Sequence, residues 1–160
     1  MPVSQSKNPF RVNVGFLISR QLGVSRDIHI EFPKYLLPPD LDLNDFVGVL
    51  RINRATQGLL VHGDFEGKVQ AQCMRCMVDF LHPIHATFDE VYSFKGKPIS
   101  ENGLEVPDDA MIDFSPVVWE YMTLEIPISA LCKPDCKGLC MECGENLNEK
   151  ICEHQLSYMP

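Results

Sequence analysis

The number and spacing of the cysteines constrain the fold of this chain more than any other feature. Seven cysteines occur in 160 residues, an odd number that fits a framework of disulfides poorly. Six of them form three short pairs: Cys73 and Cys76, Cys132 and Cys136, and Cys140 and Cys143. Residues 1–7 contain no apolar stretch of the kind found in a secretory signal, so we expect a reducing, cytoplasmic location. In that setting, clustered cysteines are typical of metal sites or of catalysis.

The sequence Cys140-Met-Glu-Cys143-Gly144 is a C-x-x-C-G motif, which is typical of a zinc knuckle. In such a turn two thiolates bind the metal, and the glycine adopts a left-handed conformation that lets backbone amides face the sulfurs. Cys152 and His154 follow soon after and supply two more side chains of the kind that bind zinc. We therefore predict a site with three cysteines and one histidine, formed by Cys140, Cys143, Cys152 and His154.

The four remaining cysteines, Cys73, Cys76, Cys132 and Cys136, predict a second site with four thiolate ligands. Seven cysteines and one histidine then divide into two sets of four with no ligand left over. A catalytic zinc keeps one position open for water, whereas both of these sites are filled by protein, so we expect two structural Zn2+ ions. The four-cysteine site would hold the C-terminal tail against the segment that carries Cys73 and Cys76, and closing such a long loop restricts the unfolded chain.

Other interpretations of the cysteines are compatible with the sequence. A single metal site could be drawn from Cys132, Cys136, Cys140, Cys143 and Cys152. The thiols of the tail could be free or redox-active, and the C-x-x-C at residues 73–76 could be a redox pair or a buried structural pair. The redox alternative lacks its usual context, because the motif in thioredoxin-like proteins opens a helix after a strand of a βαβ unit.

Apolar and polar residues alternate over several segments, which predicts strands with one buried face. The longest of these, residues 59–73, contains Gly63 and Gly67, where we expect bends or bulges. The motif at residues 73–76 should then lie at the tip of the hairpin that this strand forms with the next. The other predicted strands are residues 10–16, 28–32, 46–52 and 78–92, and residues 35–40 and 95–109 are expected to be loops, the second of them mobile.

One helix is predicted in the second half of the chain. Ser115 can cap it, Pro116 suits its first turn, and Pro127 should end it. We therefore predict an α+β fold that is mostly β, either an antiparallel sheet or a partly open barrel with one short helix. The chain is expected to be a single domain, residues 1–160, with a cysteine-rich zinc-knuckle tail at residues 132–154.

Composition and charge narrow the possible functions. The formal net charge is −8, whereas a protein that binds nucleic acid through its phosphates usually has a basic surface, so any RNA contact should be local or made through a partner protein. No apolar run approaches the ~20 residues of a membrane helix. Neither a phosphate-binding loop nor a nucleophile motif occurs, and His29, His62, His82 and His85 stand on predicted strands without catalytic partners. We therefore expect a protein that is not an enzyme, with these histidines at the surface or in packing.

Two motifs carry a resemblance to a known family. They are Cys73-Met74-Arg75-Cys76 and residues 132–148, which contain a C-x-x-x-C and a C-x-x-C-G-E-N-L-N pattern. With a β-rich front, an acidic loop and a short helix around them, the layout is similar to that of the YceD family, bacterial and plastid proteins tied to the accumulation of large-subunit ribosomal RNA. His154 stands where many relatives have a further cysteine, and histidine can replace cysteine in a zinc site.

The resemblance implies a role in ribosome biogenesis, with large-subunit ribosomal RNA or proteins that process it or assemble on it as partner. The resemblance implies no catalytic residue, no small-molecule substrate and no association with a membrane. The candidate residues for direct contact with RNA or a partner are Arg75, Lys133, Lys137 and Lys150, which the zinc ions would hold near one another. A second hypothesis is a protein-interaction adaptor, in which the acidic loop at residues 101–109 docks a basic ribosomal protein or nuclease. A third is a thiol redox or metal sensor, which would lose zinc reversibly under mild oxidation.

Overall fold

The computed structural model describes residues 8–97 and 103–156. Its elements, in chain order, are β1 (Arg11–Asn13), α1 (Gly15–Ile18), β2 (Ser25–Leu37), β3 (Leu41–Arg54), β4 (Gly58–Gln72), β5 (Asp79–Ser93), β6 (Met111–Asp113), α2 (Ser115–Leu124) and α3 (Glu153–Leu156). Strands β2 to β5 form one antiparallel sheet in that order, and β1 pairs with β6. The predicted fold class is confirmed: the structure is mostly β, and its main sheet is open instead of closed into a barrel.

Each strand of the large sheet pairs with the strand that follows it in the chain, so the sheet is a meander of three hairpins. The ladder between β4 and β5 is the longest, and it pairs Gly58 with Ser93 at one end and Gln72 with Asp79 at the other. With a rise of about 3.3 Å per residue, these strands separate the two ends of the sheet by roughly 45 Å. The hairpin tip that follows Gln72 is therefore far from the turn that precedes Gly58.

One face of the sheet is buried, because apolar residues occupy every second position of its strands. The N-terminal segment and α2 belong to the same apolar core. A row of aromatic rings runs through it, with centroid separations of 4.8 to 6.2 Å between neighbours: Phe10, Phe46, Phe65, Phe88 and Tyr121. Such ring contacts stabilise beyond the area they bury, and here they join the N-terminal segment, three strands and α2 in one layer.

Gly63 and Gly67, the two glycines in the interior of β4, differ in their roles, and only Gly67 relates to a bulge. The bulge itself lies in β3, where the register with β4 shifts between residues 44 and 47 and Asp45 adopts a left-handed φ of 48°. Gly67 faces this irregular segment, whereas Gly63 continues a regular ladder. A Cβ at Gly63 would lie 2.3 Å from the ring of Phe88. Glycine is therefore needed at this position because an aromatic ring crosses the strand, and not because the strand bends.

The prediction of one strand over residues 10–16 is wrong in its second half. Only Arg11–Asn13 form a strand, and the chain then enters the helical turn α1. Asn13 favours the change of direction, because its Oδ1 accepts a hydrogen bond from the backbone N–H of Gly15 at 2.8 Å. Val14 and Leu17 are both fully buried. Residues three positions apart lie on the same face of a helix but on opposite faces of a strand, so this burial fits a helical turn.

The two predicted loops are also shorter than expected. Residues 35–37 continue β2 and pair with residues 41–43, so that only a tight turn remains between the strands. In the second loop, the carbonyl of Leu104 accepts a hydrogen bond from the N–H of Ser93 at 2.9 Å, and Val106 is buried. Residues 98–102 of this segment lie outside the described residues, as does Glu101 of the proposed acidic loop.

Helix α2 lies where the sequence predicts a helix, but Ser115 does not cap it. Ser115 is the first helical residue, and its Oγ donates to Oδ1 of Asn8 at 3.2 Å. The side chain of Asp113 takes the capping contact instead, because its Oδ1 accepts a hydrogen bond from the N–H of Ser115 at 2.9 Å. Pro116 lies in the first turn, and the helix ends at Leu124, shortly before Pro127.

Replacing Gly63 with Ala is expected to destabilise the protein by about 1–3 kcal/mol, since the added carbon would overlap the buried ring of Phe88. Phe88→Leu removes the two ring atoms that the new Cβ would meet. The cost of Gly63→Ala should therefore be smaller in the Phe88→Leu background, a coupling that urea denaturation of the four proteins would measure. Strictly additive costs would contradict the contact between this ring and β4.

Candidate metal centre

The tip of the β4–β5 hairpin carries the first two cysteines. The backbone N–H of Cys73 donates to the carbonyl of Val78, and the N–H of Met77 donates to the carbonyl of Cys73, each at 2.9 Å. Met77 closes the turn with a left-handed φ of 61°. Cys73 is fully buried, and Cys76 is 6% exposed. The C-x-R-C motif thus lies at the hairpin tip, where the sequence predicts it, and presents its sulfurs to the protein interior.

The C-terminal tail packs against this tip through backbone contacts. The N–H of Met74 donates to the carbonyl of Ala130 at 3.0 Å, and the N–H of Leu139 donates to the carbonyl of Arg75 at 3.1 Å. The guanidinium of Arg75 donates from Nη1 to the carbonyl of Cys136 at 3.0 Å. The arginine of the C-x-R-C motif therefore helps to hold the tail, although it lies at the surface.

The first quartet of metal-type ligands forms between the tip and the tail. Its members, whose sulfurs all lie within 4.8 Å of one another, are Cys73, Cys76, Cys132 and Cys136. The Sγ atoms of Cys73 and Cys136 are 3.7 Å apart, and those of Cys76 and Cys132 are 3.6 Å apart. A tetrahedral zinc with bonds of about 2.3 Å separates its sulfurs by about 3.8 Å, so the spacing of these thiols fits such an ion. Three of the four are buried, and Cys132 is half-buried.

The second quartet lies entirely in the tail. Its ligand atoms, also within 4.8 Å of one another, belong to Cys140, Cys143, Cys152 and His154. The C-x-x-C-G turn is closed by hydrogen bonds from the N–H of Gly144 to the carbonyl of Cys140 at 2.9 Å and from the N–H of Cys140 to the carbonyl of Glu145 at 2.8 Å. Gly144 has the left-handed φ, 74°, that this motif requires. Cys143 and His154 are exposed, so the second quartet is more open to solvent than the first.

The structure thus brings together, in two separate groups, the same eight side chains that the sequence analysis divided into two sites. All seven cysteines are free of disulfides. The arrangement differs from a single site drawn from the five tail cysteines, because Cys132 and Cys136 face the hairpin tip and not the knuckle turn. It also differs from a thioredoxin-like pair, since the C-x-x-C of residues 73–76 joins two strands of a hairpin.

Two asparagines, which the sequence analysis treated only as part of a family pattern, connect the quartets. The side-chain amide of Asn148 donates to the sulfur of Cys136 at 3.3 Å, and its Oδ1 accepts the N–H of Lys137 at 2.9 Å. Asn146 Oδ1 in turn accepts from the backbone N–H and side-chain amide of Asn148. Asn148 therefore supports a sulfur of the first quartet from a position within the second, between Cys143 and Cys152.

A close approach of backbones completes this connection. Gly138 has a left-handed φ of 77°, and a Cβ there would lie 3.2 Å from the carbonyl oxygen of Arg75. The carbonyl of Gly138 accepts the N–H of Leu147 at 2.9 Å, and Leu139 forms an antiparallel bridge with Asn146. Hairpin tip, first quartet and second quartet are thus one continuous hydrogen-bonded unit.

The thiols of the first quartet have strongly different affinities for protons. Backbone N–H groups, first that of Cys132 and then that of Cys76, lower the pKa of Cys73 to about 6. Burial, together with the neighbouring thiols, raises the pKa of Cys132 to about 12. Because each further negative charge in one cluster is unfavourable, the four thiols do not ionise together unaided. A divalent cation between them removes this repulsion, and four thiolates are the donor set that suits zinc.

The four cations that were predicted to contact RNA or a partner differ in whether they are already paired within the protein. Arg75 is engaged with the tail, and Lys150 forms an ion pair with Glu145 at 3.4 Å. Lys133 and Lys137 are exposed, and within the described part of the chain no ion pair involves them. Of the lysines in the tail, these two therefore present an unpaired charge.

Histidines and acidic side chains elsewhere form surface pairs instead of a reactive site. His62 Nδ1 lies 2.8 Å from Asp89, and His85 Nε2 lies 2.7 Å from Asp64, all on the exposed face of the sheet. The Asp64 carboxylate raises the pKa of His85. Outside the two quartets, residues 8–97 and 103–156 contain no other group of three His, Cys, Asp or Glu ligand atoms close enough to hold a metal ion.

Comparison with known proteins assigns the family. The model of the family described as "Large ribosomal RNA subunit accumulation protein YceD" matches residues 61–159, from the first part of β4 through the tail. The chain belongs to the YceD family. The match includes all eight side chains of the two quartets, so the candidate metal centre lies within the part of the chain that defines membership.

Individual relatives give a more limited likeness. An uncharacterized protein of Mycobacterium tuberculosis is 29% identical over 100 residues, which are 59% of this chain and 48% of that protein. Two plant proteins named large ribosomal RNA subunit accumulation protein YCED homolog 1, chloroplastic, match shorter segments: that of Arabidopsis thaliana is 43% identical over 47 residues and that of Zea mays 50% over 40. These segments are 29% and 25% of this chain, and 15% and 14% of the plant proteins.

The chain spans about half the length of the mycobacterial relatives that it matches. No solved structure matches this YceD-family chain. Within the described residues, no helix is both long and apolar enough to cross a membrane.

Replacing Asn148 with Ala is expected to weaken the binding of a divalent metal by the first quartet about 10- to 100-fold, because the variant loses the hydrogen bond to the sulfur of Cys136. Competition with a metal chelator, using Co2+ absorption as readout, would measure the change. Asn53→Ala in β3 is a matched control that should bind as the unmodified protein does. Equal affinity of the Asn148→Ala protein and the control would show that this amide does not support the sulfur.

Proposed function

We propose that this protein is a non-catalytic, zinc-stabilised factor that assists the accumulation and processing of large-subunit ribosomal RNA. Membership of the YceD family supports the ribosomal role, since two plant relatives are named for it. The observation that carries the role of zinc is the pair of quartets, each with four ligand atoms within 4.8 Å of one another. The first quartet ties the tail to the hairpin tip, the second lies within the tail, and both belong to the segment that the family model matches.

The donor sets favour structural over catalytic ions. A set of four cysteines and a set of three cysteines with one histidine each complete the tetrahedral shell of Zn2+, so that no position remains for water or a substrate. The burial of the first quartet agrees with this role, because Cys73, Cys76 and Cys136 are almost inaccessible to solvent. Zinc in such a site contributes directly to folding, as the ligands are far apart in the unfolded chain.

The adaptor hypothesis receives less support from the contacts of the acidic loop. Asp108 is paired with Lys95 at 3.0 Å, and the N–H of Met111 donates to Asp109. Two of the carboxylates offered to a basic partner are therefore already engaged within the chain. We accordingly favour direct action on ribosomal RNA or a particle that contains it, and regard docking of a basic protein through this loop as the alternative.

The intact protein is expected to contain about two zinc ions per chain, and replacement of both Cys140 and Cys143 with Ser should leave about one. The first quartet would keep its four sulfurs in that variant, whereas the second would lose two ligands. Elemental analysis of protein purified without added metal measures the content. A value near one zinc in the intact protein would contradict the two-site assignment and favour a single shared site.

Cells that lack the gene for this protein should accumulate less large-subunit than small-subunit ribosomal RNA, and the intact protein should restore the ratio. The variant Cys73→Ser with Cys76→Ser should fail to do so, because the tail is released from the hairpin tip. Met141→Ala is the matched control, since Met141 lies between two ligands but is fully exposed. Quantification of both ribosomal RNAs, with the protein level measured by immunoblot, gives the result. An unchanged ratio in cells without the protein would contradict the proposed function.

A further inference from the structure

The charge of this chain is distributed very unevenly along its sequence. The first 26 residues contain Lys7, Arg11, Arg20 and Arg26 but neither Asp nor Glu. The formal charge of −8 therefore divides into +4 for this segment and −12 for the other 134 residues. A local cationic surface is thus compatible with the strongly negative total.

The fold gathers two of these arginines and Arg54 at the end of the sheet that lies farthest from the quartets. Arg26 begins β2 and pairs with Ile52, and Arg54 ends β3. Arg54 exchanges backbone hydrogen bonds with residues 23–24, and its Nε donates to the carbonyl of Ile18 at 3.3 Å. Arg20 lies in the short connection between these two contacts, so the three arginines belong to one end of the molecule.

Aromatic and apolar side chains lie among these cations. The guanidinium of Arg26 stands 4.8 Å above the ring of Phe16, and that of Arg54 stands 4.4 Å above the ring of Phe94. Phe16 is 38% exposed, and Leu22, which lies two residues after Arg20 in the chain, is 63% exposed. We call this surface the distal arginine patch, and its members are Phe16, Arg20, Leu22, Arg26, Arg54 and Phe94.

Two acidic residues at this end of the sheet are already paired with other cations. Asp27 binds Arg51 at 2.7 Å, and Asp108 binds Lys95 at 3.0 Å. Within the described part of the chain, no ion pair involves Arg20, Arg26 or Arg54. None of the three arginines is thus neutralised by an ion pair there, and the patch combines their charge with a ring face and exposed apolar surface.

The zinc-knuckle tail is much less suited to a polyanion. Residues 132–154 contain three lysines and five acidic residues, and one of the lysines is paired with Glu145. Four thiolates around one Zn2+ add about two further negative charges. Phosphates would thus be repelled from the tail more than from the opposite end of the sheet.

We propose that the distal arginine patch binds single-stranded RNA. Arg20 and Arg26 would contact phosphates, while Phe16 and the guanidinium planes offer flat surfaces on which bases stack. This combination of cations and rings is the one that single-strand binders use without reading a sequence. The inference rests on the proposed function for the identity of its ligand, the unpaired ribosomal RNA, and it assigns RNA binding to a surface remote from the metal centre.

Fluorescence anisotropy with a labelled oligouridine RNA of about 12 nucleotides tests the proposal. The double variant R20Q/R26Q should bind about tenfold or more weakly, and the slope of log affinity against log salt should fall by about 0.7 for each phosphate that is no longer neutralised. F16L, which removes a ring but no charge, should weaken binding about tenfold. D27N/R51Q is the matched control: it removes one arginine at the same end of the sheet together with the carboxylate that pairs with it, so the net charge of that end does not change. D27N/R51Q and K133Q/K137Q should bind nearly as the intact protein does.

Several results would overturn the proposal. One is unchanged affinity of R20Q/R26Q and F16L. Another is an equal decrease in K133Q/K137Q, which would reflect total charge alone, or in D27N/R51Q, which would reflect a general disturbance of that end of the sheet. A third is the finding that the intact protein does not bind the RNA but binds an acidic peptide through the patch. Failure of the underlying function is recognised separately: an intact protein that restores the ribosomal RNA ratio in cells but does not bind the oligonucleotide contradicts only the patch, whereas one that does not restore the ratio contradicts the proposed function.

Discussion

The union of the hairpin tip with the C-terminal tail is the contact on which the second half of this structure depends. It joins sulfurs that are 63 and 56 residues apart in sequence. The tail has little apolar burial of its own, since Met141 is fully exposed and Ile151 is 55% exposed. Because a metal ion held by these sulfurs would close a long loop, it would stabilise the tail chiefly by limiting the conformations of the unfolded chain. The hydrogen bonds of Asn148 and Gly138 then give the ordered tail one arrangement.

The sheet determines where that union occurs. Apolar burial and the row of aromatic rings hold β3, β4 and β5 in register, and the β4–β5 ladder remains regular along its whole length. A slip of one residue would turn every buried side chain of β4 outward, so the core specifies the position of the hairpin tip. Cys73 is both the residue that follows β4 and a ligand of the first quartet. Packing in the core thus determines where the hairpin tip places its two ligands in the candidate metal centre.

Local patterns in the sequence predicted the existence of the four strands of the main sheet, though not the full length of β2 and β3, and they grouped the eight side chains of the two quartets, because period-two alternation and ligand spacing are local properties. They were insufficient where a side chain outside the pattern changes the chain direction, as Asn13 does before α1. The need for glycine at position 63 also could not be read from a local pattern, since it arises from the ring of Phe88 on the next strand. The run of 26 residues without an acid is visible in the sequence, yet only the register of β2 and β3 shows that Arg26 and Arg54 share one end.

If the distal arginine patch binds RNA as proposed, the separation of charge along the sheet explains how a chain with a formal charge of −8 would do so. At physiological ionic strength the Debye length is about 8 Å, whereas β4 separates the anionic tail from the distal arginine patch by roughly 45 Å. Repulsion by the tail is therefore largely screened at the patch. Within about a Debye length of the protein surface, the arginine end attracts a polyanion and the tail repels it. This difference would orient the protein with its arginines toward the phosphates.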